Sequence, residues 1–435
     1  MKTVKAELSS SPAQTKLMPL RYYLILTFLL IAATAATAGA ADLAELQEKA
    51  LSNREVVRAY IADLEQSRRD VTLARSGLYP SVDLSYTANW LDEATAIEDR
   101  ENQVASGRIS WNIFAGFRDK YRIKSAKLLR QAEYHQLQGL KQDIKLAVAL
   151  RYLAIFEGRA NLRVAEDSLS TLRRLSEDAV NRYGVGLIRK SEMLKFQVDL
   201  DNAVIAEKKA RAELAKSIAL LGRAVGGAVE AEGLAFEEFA ELPAAPDREA
   251  YEEEMLASRS EIRFLEELVG AAAMQVKVER ARYYPSVDLA GVYNKYDDPP
   301  NRFTTDDDEL RTQLTLSMNL FDGFAKKSRV GAARLEKESL HYDLAETRRD
   351  LQVELGNLFL DYLVSVDNVV VADNGIEQAE ENLRVIRVAY EEGVAVESEL
   401  LDAVANLSRA KFNFVTAKSE GFATHFRIIR MIEQL

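Results

Sequence analysis

A group of carboxylates after residue 393 is the part of the sequence best able to do chemistry. Glu397, Glu399 and Asp402 all lie within nine residues of Gly393. If several copies of the chain surround one axis, Glu399 and Asp402 form rings of negative charge that attract cations and repel anions. Carboxylates in this position are also typical of a helix N-terminus, where they interact favourably with the helix dipole. Spacing alone favours the helix N-terminus, with an acidic ring as the alternative.

The residue types that enzymes and bound cofactors need are mostly missing. The absence of cysteine excludes disulfides, zinc–thiolate sites and iron–sulfur clusters. His135 and His341 each lack a second metal ligand three or four residues away. Residues 184–191 partly resemble a phosphate-binding loop, but Arg189 occupies the position that needs a second glycine. We expect no catalytic residue, no metal and no cofactor, and we predict that the chain is not an enzyme.

Composition narrows the class of protein further. The chain has 57 basic and 68 acidic residues, a net charge of −11, whereas a nucleic-acid groove needs a basic field. We therefore exclude nucleic acid as a partner. Hydrophobic residues make up 48% of the chain, enough for a buried core, and only 8 prolines occur in 435 residues. This balance favours long, uninterrupted helices.

Residues 1–40 have the pattern of a secretory signal peptide. Basic residues precede the apolar run 24–31, and small residues follow, ending in Ala38-Gly39-Ala40. We predict cleavage before Ala41 and consider Met18 a possible alternative start. A membrane anchor is the alternative reading, but the apolar run is shorter than the ~20 residues that a spanning helix needs. We expect no membrane-spanning helix in the remainder of the chain.

The elements that position the carboxylates are written twice in the chain. Four landmarks recur in the same order, the first after 205 residues and the others after 207. The matched segments are 79–84 with 284–289, 112–117 with 319–324, 183–186 with 390–393, and 191–194 with 398–401. We predict a first structural repeat at 41–226, a linker at 227–247 and a second repeat at 248–435.

Each repeat contains two segments in which apolar and polar residues alternate, as in strands with one apolar face. The predicted strands are 80–90, 105–114, 285–295 and 310–321. Each is about ten residues long, which is the length of a tilted membrane strand. Aromatic residues cluster at the strand ends, as in an interfacial girdle: Tyr79, Trp90, Tyr284, Tyr296, Phe321 and Phe324. A soluble sheet with one solvated face is the alternative.

Four such strands cannot close a membrane barrel, because the smallest closed barrels have about eight strands. An open sheet edge in lipid leaves backbone groups without partners. If the strands span a membrane, several copies of the chain must therefore share one barrel. Two copies would supply eight strands and three would supply twelve.

A long helical segment follows the strands in each repeat. Residues 117–183 and 324–390 contain no proline, and their apolar residues recur at spacings of three and four, as in packed helices. At ~1.5 Å per residue each segment reaches about 100 Å. We predict hairpin tips near 184–187 and 391–395, where Gly186 and Gly393 allow the chain to turn. The predicted fold is mainly α with a membrane β-barrel portion.

The doubled Tyr-Pro, Phe-x-Gly-Phe and Tyr-x-x-Gly landmarks together resemble the TolC-like outer-membrane efflux protein family, and the resemblance covers nearly all of the chain after the signal. It implies a homotrimer with a twelve-stranded β-barrel in outer-membrane lipid and a twelve-helix periplasmic α-barrel, in a Gram-negative-type bacterium. It further implies an exit duct of a tripartite efflux pump or type I secretion system. A periplasmic adaptor and an inner-membrane transporter would dock at the tips.

The resemblance also assigns site residues. Family members carry two acidic residues six and nine positions after the second-tip glycine, which correspond here to Glu399 and Asp402. Tyr390 and Gly393 match the family pattern as well, and the first-repeat tip supplies Tyr183, Gly186 and Glu192. Lys195 occupies the first-repeat position of Asp402, so the acidic ring would come mainly from the second repeat. Ala395 replaces a basic residue that helps some members to latch the entrance.

A soluble periplasmic coiled-coil scaffold or adaptor is the alternative function. It would keep the long helices, but it requires the predicted strands to pack their apolar faces against the protein's own helices in aqueous solution.

Overall fold

The computed structural model describes residues 42–94, 100–297 and 306–435. Leu43–Val229 and Phe236–Leu435 together form one compact unit. The described residues of the other unit are Asp42 and Glu230–Ala235, and they include a single 3-10 turn. The predicted signal peptide and its cleavage site before Ala41 lie outside the described residues.

Four strands form one antiparallel sheet in the order β1-β2-β3-β4. They are β1 (Ser81–Trp90), β2 (Glu101–Ala115), β3 (Ser286–Tyr296) and β4 (Asp308–Ser317). Because each half of the chain supplies a hairpin, the pair β2–β3 joins the two halves in the middle of the sheet. Within the described residues, β1 and β4 are the two edges of the sheet.

The lengths of the strands follow from their partners. β1 begins at Ser81, opposite Ser110, but β2 continues beyond that point and pairs with β3 as far as Ala115. β4 ends at Ser317, four residues before the predicted end. Ser317 pairs with Ser286, the first residue of β3, so β3 has no further residues to pair with the segment that follows.

The apolar face of the sheet is exposed in the single chain. Val82, Leu84 and Trp90 are 68%, 86% and 74% exposed. The other face carries hydrogen-bonded polar side chains, among them the Asn112 amide, which donates to the Asp288 carboxylate at 2.6 Å. The chain therefore does not cover these apolar strand residues with its own helices, as a water-soluble sheet would require.

Eight helices accompany the sheet in the described residues. They are α1 (Leu43–Asn53), α2 (Glu55–Ser76), α3 (Arg118–Gly184), α4 (Lys190–Val225), α5 (Arg248–Ser258), α6 (Ser260–Arg280), α7 (Ala325–Glu391) and α8 (Glu397–Met431). α3 and α7 have 67 residues each. α3 and α4 form one hairpin, and α7 and α8 form the other. α6 packs against both long helices, α2 packs against α3, and α8 also contacts α3.

A sharp elbow connects each strand pair to its long helix. Gly116 and Phe117 have φ values of 63° and 66°, and Gly323 and Phe324 have values of 65° and 67°. At the first elbow a Cβ atom on Gly116 would lie 2.4 Å from the Ala281 carbonyl oxygen. Glycine is therefore required there both for its left-handed backbone and for the close approach of a second chain segment.

The predicted linker at 227–247 is packed in its second half. Phe239 is 1% exposed and lies 5.7 Å from the ring of Tyr152 on α3. The Tyr362 hydroxyl on α7 donates to the Pro243 carbonyl at 2.5 Å. This segment is therefore anchored on the long helices of both halves, through aromatic contacts that the loop-like composition did not predict.

A buried arginine joins three helices. Arg430 of α8 is 3% exposed and contacts the carboxylates of Asp143 on α3, at 2.8 Å, and Glu261 on α6, at 3.0 Å. Arg259 donates to the Arg430 carbonyl at 2.6 Å. Because a buried charge is stable only when it is paired, these contacts fix the packing of the three helices.

One helix of the described residues, α7, is long and apolar enough to cross a membrane by length and composition. An 18-residue window within it has a mean hydropathy of 1.4, and 22% of that window is buried. The sequence analysis did not identify this stretch because acidic residues interrupt the apolar run without removing its average hydropathy. The expectation that no helix spans a membrane stays a prediction.

The apolar residues of α7 form an exposed stripe that we call the α7 stripe. It consists of Val353, Leu360, Val364 and Val371, which are 64%, 60%, 58% and 68% exposed. The spacings of seven, four and seven residues place the four side chains on one helical face, as in a coiled-coil seam. The single chain leaves this seam without a covering helix among its described residues.

Candidate functional site

The two hairpin tips have the same backbone geometry. At the first tip Gly186 has a φ of 78°, and the Leu187 amide donates to the Arg182 carbonyl at 2.8 Å. At the second tip Gly393 has a φ of 74°, and the Val394 amide donates to the Ala389 carbonyl at 2.8 Å. A left-handed residue directly after a helix reverses the chain while it satisfies the last carbonyl groups.

Gly393→Ala is expected to weaken the second tip by about 1 kcal/mol, because a Cβ atom disfavours the left-handed conformation. Exchange of the Val394 amide hydrogen should become roughly fivefold faster, since 1 kcal/mol corresponds to about that factor. Gly331→Ala is the control, because Gly331 lies inside α7, has no neighbour within 4 Å in the described chain and does not have a positive φ. Unchanged exchange in Gly393→Ala would contradict the prediction.

Tyr390 lies beneath the tips and not on their surface. It is 9% exposed and contacts Phe196, with ring centroids 6.0 Å apart. The guanidinium of Arg182 lies 5.2 Å from the Tyr390 ring. Its hydroxyl has no hydrogen-bond partner among the residues that the structure describes, and burial raises its pKa. Tyr183, the corresponding residue of the first tip, is 41% exposed.

The two predicted entrance carboxylates are both exposed in the single chain. The Glu399 carboxylate accepts a hydrogen bond from the Val396 amide at 3.1 Å, so it caps the first turn of α8. Asp402 lies one turn further along, beside a groove of 470 Å³ that Asp199 and Arg409 also line. Glu399 therefore lies at a helix N-terminus, where the helix dipole favours a carboxylate, and its negative charge stays at the surface.

The acidic residue of the first tip is neutralised locally. Glu192 is half-buried and contacts the Arg189 guanidinium at 2.7 Å. Two further positions have opposite charges in the two repeats, because Lys190 and Lys195 correspond to Glu397 and Asp402 at the offset of 207 residues. The first tip is therefore the more basic one and the second tip the more acidic one.

Sequence reasoning missed an ion pair that joins the two hairpins. The Lys195 ammonium of α4 contacts the Glu397 carboxylate of α8 at 2.5 Å. Glu397 is 9% exposed, and its hydrogen bond with Lys195 lowers the pKa of the carboxyl below its usual value. The opposite charges at equivalent repeat positions were the sequence signal that could have indicated this contact.

Metal-ligating side chains do not converge anywhere in residues 42–94, 100–297 and 306–435. No group of three His, Cys, Asp or Glu residues in these ranges could hold a metal ion. The tips offer electrostatic interactions: exposed carboxylates on one hairpin, basic residues on the other, and one ion pair between them.

The family model and a solved structure both relate this chain to outer-membrane channel proteins. The family model for outer membrane efflux proteins matches residues 46–227 and 253–421, and so includes both repeats. The solved structure of CusC, described as undergoing transmembrane channel formation, superimposes with a TM-score of 0.78 over 90% of this chain and 91% of that one, at 15% sequence identity. This likeness shows a shared fold.

Two curated relatives resemble the chain in sequence. Protein CyaE of Bordetella pertussis is 28% identical over 313 residues, which cover 68% of this chain and 64% of CyaE. The outer membrane protein TolC of Vibrio cholerae is 22% identical over 402 residues, which cover 86% of this chain and 88% of TolC. The resemblance inferred from the doubled landmarks is confirmed: this chain belongs to the outer membrane efflux protein family.

Proposed function

We propose that three copies of this chain form an exit duct across the outer membrane, as the outer-membrane component of a tripartite efflux pump or a type I secretion system. The observation that carries the proposal is that the single chain leaves two kinds of apolar surface uncovered: the outer face of its sheet and the α7 stripe. Lipid would cover the first surface, and neighbouring copies would cover the second.

The sheet supports a shared barrel. Its four strands are too few to close, and both edges present backbone groups that need partners inside a membrane. Three copies supply twelve strands, so each edge strand would pair with an edge strand of the next copy. A soluble scaffold would instead leave Leu84, which is 86% exposed, and its neighbours in contact with water.

A comparison of the two repeats supports the same assembly in the helices. Leu153 and Val164 of α3 are 3% and 8% exposed, whereas Leu360 and Val371, 207 residues later on α7, are 60% and 68% exposed. The same residue types at equivalent positions are thus covered in the first half and bare in the second. A helix from a neighbouring copy would give α7 the cover that α3 already has.

The hairpin tips are the surface that we assign to the pump partners. Val185 and Leu187 at the first tip are each 74% exposed, and Val394 at the second tip is 82% exposed. Exposed apolar residues at a turn are typical of a contact with another protein. We propose that a periplasmic adaptor and an inner-membrane transporter dock here. Energy would come from the transporter, and the duct would open by an iris-like movement of the tip hairpins.

The direct test of the proposed function is single-channel recording of the purified protein in a planar bilayer. The double variant Glu399→Ala/Asp402→Ala should form pores with a several-fold weaker cation preference, because three copies would lose six negative charges around one axis. Glu377→Gln, a charge removal on α7 two helical turns or more from the tip, is the control. Absence of pores would contradict the duct, whereas pores with unchanged selectivity would exclude only these two residues from the entrance.

A further inference from the structure

We infer that edge strand β4 of one copy pairs with edge strand β1 of the next in a fixed register, in which Asn319 lies opposite Asp83 of the neighbouring copy. This inference rests on the proposed function, since it requires that copies share one barrel. It adds the residues that join the copies. It is derived from the pairing of β2 with β3, the seam between the two halves within a single chain.

The internal repeat preserves hydrogen-bond register as well as sequence. In the first hairpin, Ser81 lies opposite Ser110, and their hydroxyl oxygens are 2.8 Å apart. In the second hairpin, Ser286 lies opposite Ser317, also with 2.8 Å between the hydroxyl oxygens. Ser286 follows Ser81 by 205 residues and Ser317 follows Ser110 by 207. The same two offsets therefore relate both the residues and their contacts.

The central seam between β2 and β3 is the template for the seam between copies. There, the Asn112 amide donates to the Asp288 carboxylate at 2.6 Å. When the offsets are applied, the counterpart of Asn112 is Asn319, two residues after the end of β4, and the counterpart of Asp288 is Asp83 of β1. The two edges of the chain thus carry the same donor and acceptor pair as the seam in its middle, so that the edges of two copies can form the same hydrogen bond.

A second pair in the template transfers in the same way. The Ser106 hydroxyl donates to the Asn294 side-chain oxygen at 2.7 Å. Their counterparts on the edges are Gln313 and Asn89, which are also able to hydrogen-bond to each other. Both transferred pairs lie on the polar face of the sheet, so the inferred seam keeps polar residues together.

The apolar face excludes a slip of one residue. Trp111 lies opposite Leu289 in the template, and the counterparts Met318 and Leu84 are 54% and 86% exposed on the edges. A shift by one residue would bring Asn319 next to apolar neighbours and move it towards lipid. A shift by two would keep the faces but would place Asn319 opposite Ser81 or Ser85, without the amide–carboxylate hydrogen bond.

Space at the second elbow agrees with this arrangement. At the first elbow, a Cβ on Gly116 would collide with Ala281 and Tyr284. At the second, Gly323 has no neighbour within 4 Å in the described chain. The counterparts of Ala281 and Tyr284 are Ser76 and Tyr79, which lie at the other edge of the chain. The corner formed by α2 and β1 of the next copy therefore fits the space beside Gly323.

Disulfide crosslinking tests the register, and the absence of native cysteine leaves the background clean. The variant Asp83→Cys/Asn319→Cys is made as the full chain, and outer membranes are oxidised and analysed by non-reducing electrophoresis. We expect covalent dimers and trimers that a reductant returns to monomers. Asn89→Cys/Gln313→Cys tests the same register at a second point, in case the first variant does not assemble.

Three controls accompany these variants. Asn112→Cys/Asp288→Cys should close within one chain, which shows that the oxidant reaches this face of the sheet. Ser85→Cys/Asn319→Cys and Ser81→Cys/Asn319→Cys are two residues out of register. They should remain monomeric, because a disulfide requires Cα atoms closer than about 7 Å.

The outcomes distinguish a failure of the inferred strand register from a failure of the proposed duct. Covalent oligomers from the in-register pairs alone support the inference, whereas equal or stronger crosslinking of an out-of-register pair overturns it. If neither in-register pair crosslinks while the central pair closes, the seam is overturned as well. The size of the unmodified protein in detergent then tests the duct. A trimer is consistent with the proposed function, and a monomer contradicts both the proposed function and the inferred register.

Discussion

Val371→Asp is expected to leave the chain monomeric in detergent and to abolish its contribution to export. Val371 is 68% exposed in the single chain, whereas Val164, its counterpart in the first repeat, is 8% exposed. If a neighbouring copy covers the α7 stripe, an aspartate there would bury an unpaired carboxylate at each of three interfaces. An uncompensated buried charge costs on the order of 3 kcal/mol, so the trimer would lose roughly three times that amount.

The measurement is the mass of the purified protein in detergent, together with the sensitivity of a strain that depends on the chain for export. Val371→Ile is the matched control, because it keeps an apolar, β-branched side chain at the same point on the stripe. A trimer of normal stability in Val371→Asp would show that the α7 stripe does not lie between copies. The helical part of the proposed assembly would then have to be abandoned.

The second large effect concerns the ion pair between the hairpins. Lys195→Glu would place a second carboxylate beside Glu397, which is 9% exposed and contacts the Lys195 ammonium in the native chain. We expect the two tips to separate, and the fraction of time that the pore is open to rise about tenfold, which corresponds to ~1.4 kcal/mol. Single-channel recording at fixed voltage measures this fraction.

A charge swap is the control for this prediction. Lys195→Glu/Glu397→Lys restores opposite charges in the same place, and it should return the open fraction towards its native value. If the double variant stays as open as the single one, the effect arises from damage to the fold and not from the ion pair. An unchanged open fraction in Lys195→Glu would exclude the pair from control of the entrance.

The pair also has a defined pH dependence. The hydrogen bond from Lys195 lowers the pKa of Glu397 in the folded chain. The stabilising contribution of the ion pair is therefore fully present above the ordinary glutamate pKa of about 4.3. That contribution is lost only as the pH falls through the lowered folded value. The native open fraction should therefore stay constant between neutral pH and about pH 5, where Glu397 remains ionised.

The sequence predicted those features that depend on local patterns. Strict alternation from Ser81 to Trp90 corresponds to β1, and the proline-free stretch after Phe117 corresponds to α3, which begins one residue later. Gly186 and Gly393 mark the tips because a left-handed turn favours glycine wherever it occurs. Such features need no knowledge of distant contacts.

Features that depend on distant contacts could not be predicted in this way. Proximity to a tip in sequence does not specify which way a side chain faces, and the structure places Tyr390 beneath the tip against Phe196. The contact between Lys195 and Glu397 joins residues 202 positions apart, so no local pattern contains it. The early end of β4 depends on where β3 begins, which is again a property of the partner strand.

The anchored connection between the halves constrains how this molecule could have arisen from a shorter ancestor. If a gene duplication produced the two repeats, each half would once have been a separate polypeptide with two strands and one hairpin. Phe239 contacts α3 of the first half and Pro243 contacts α7 of the second. A separated half would lose contacts of this segment and expose apolar helix surface to solvent. The fused chain therefore depends on this connecting segment, and a return to separate half-chains would require other residues to cover the same helix surface.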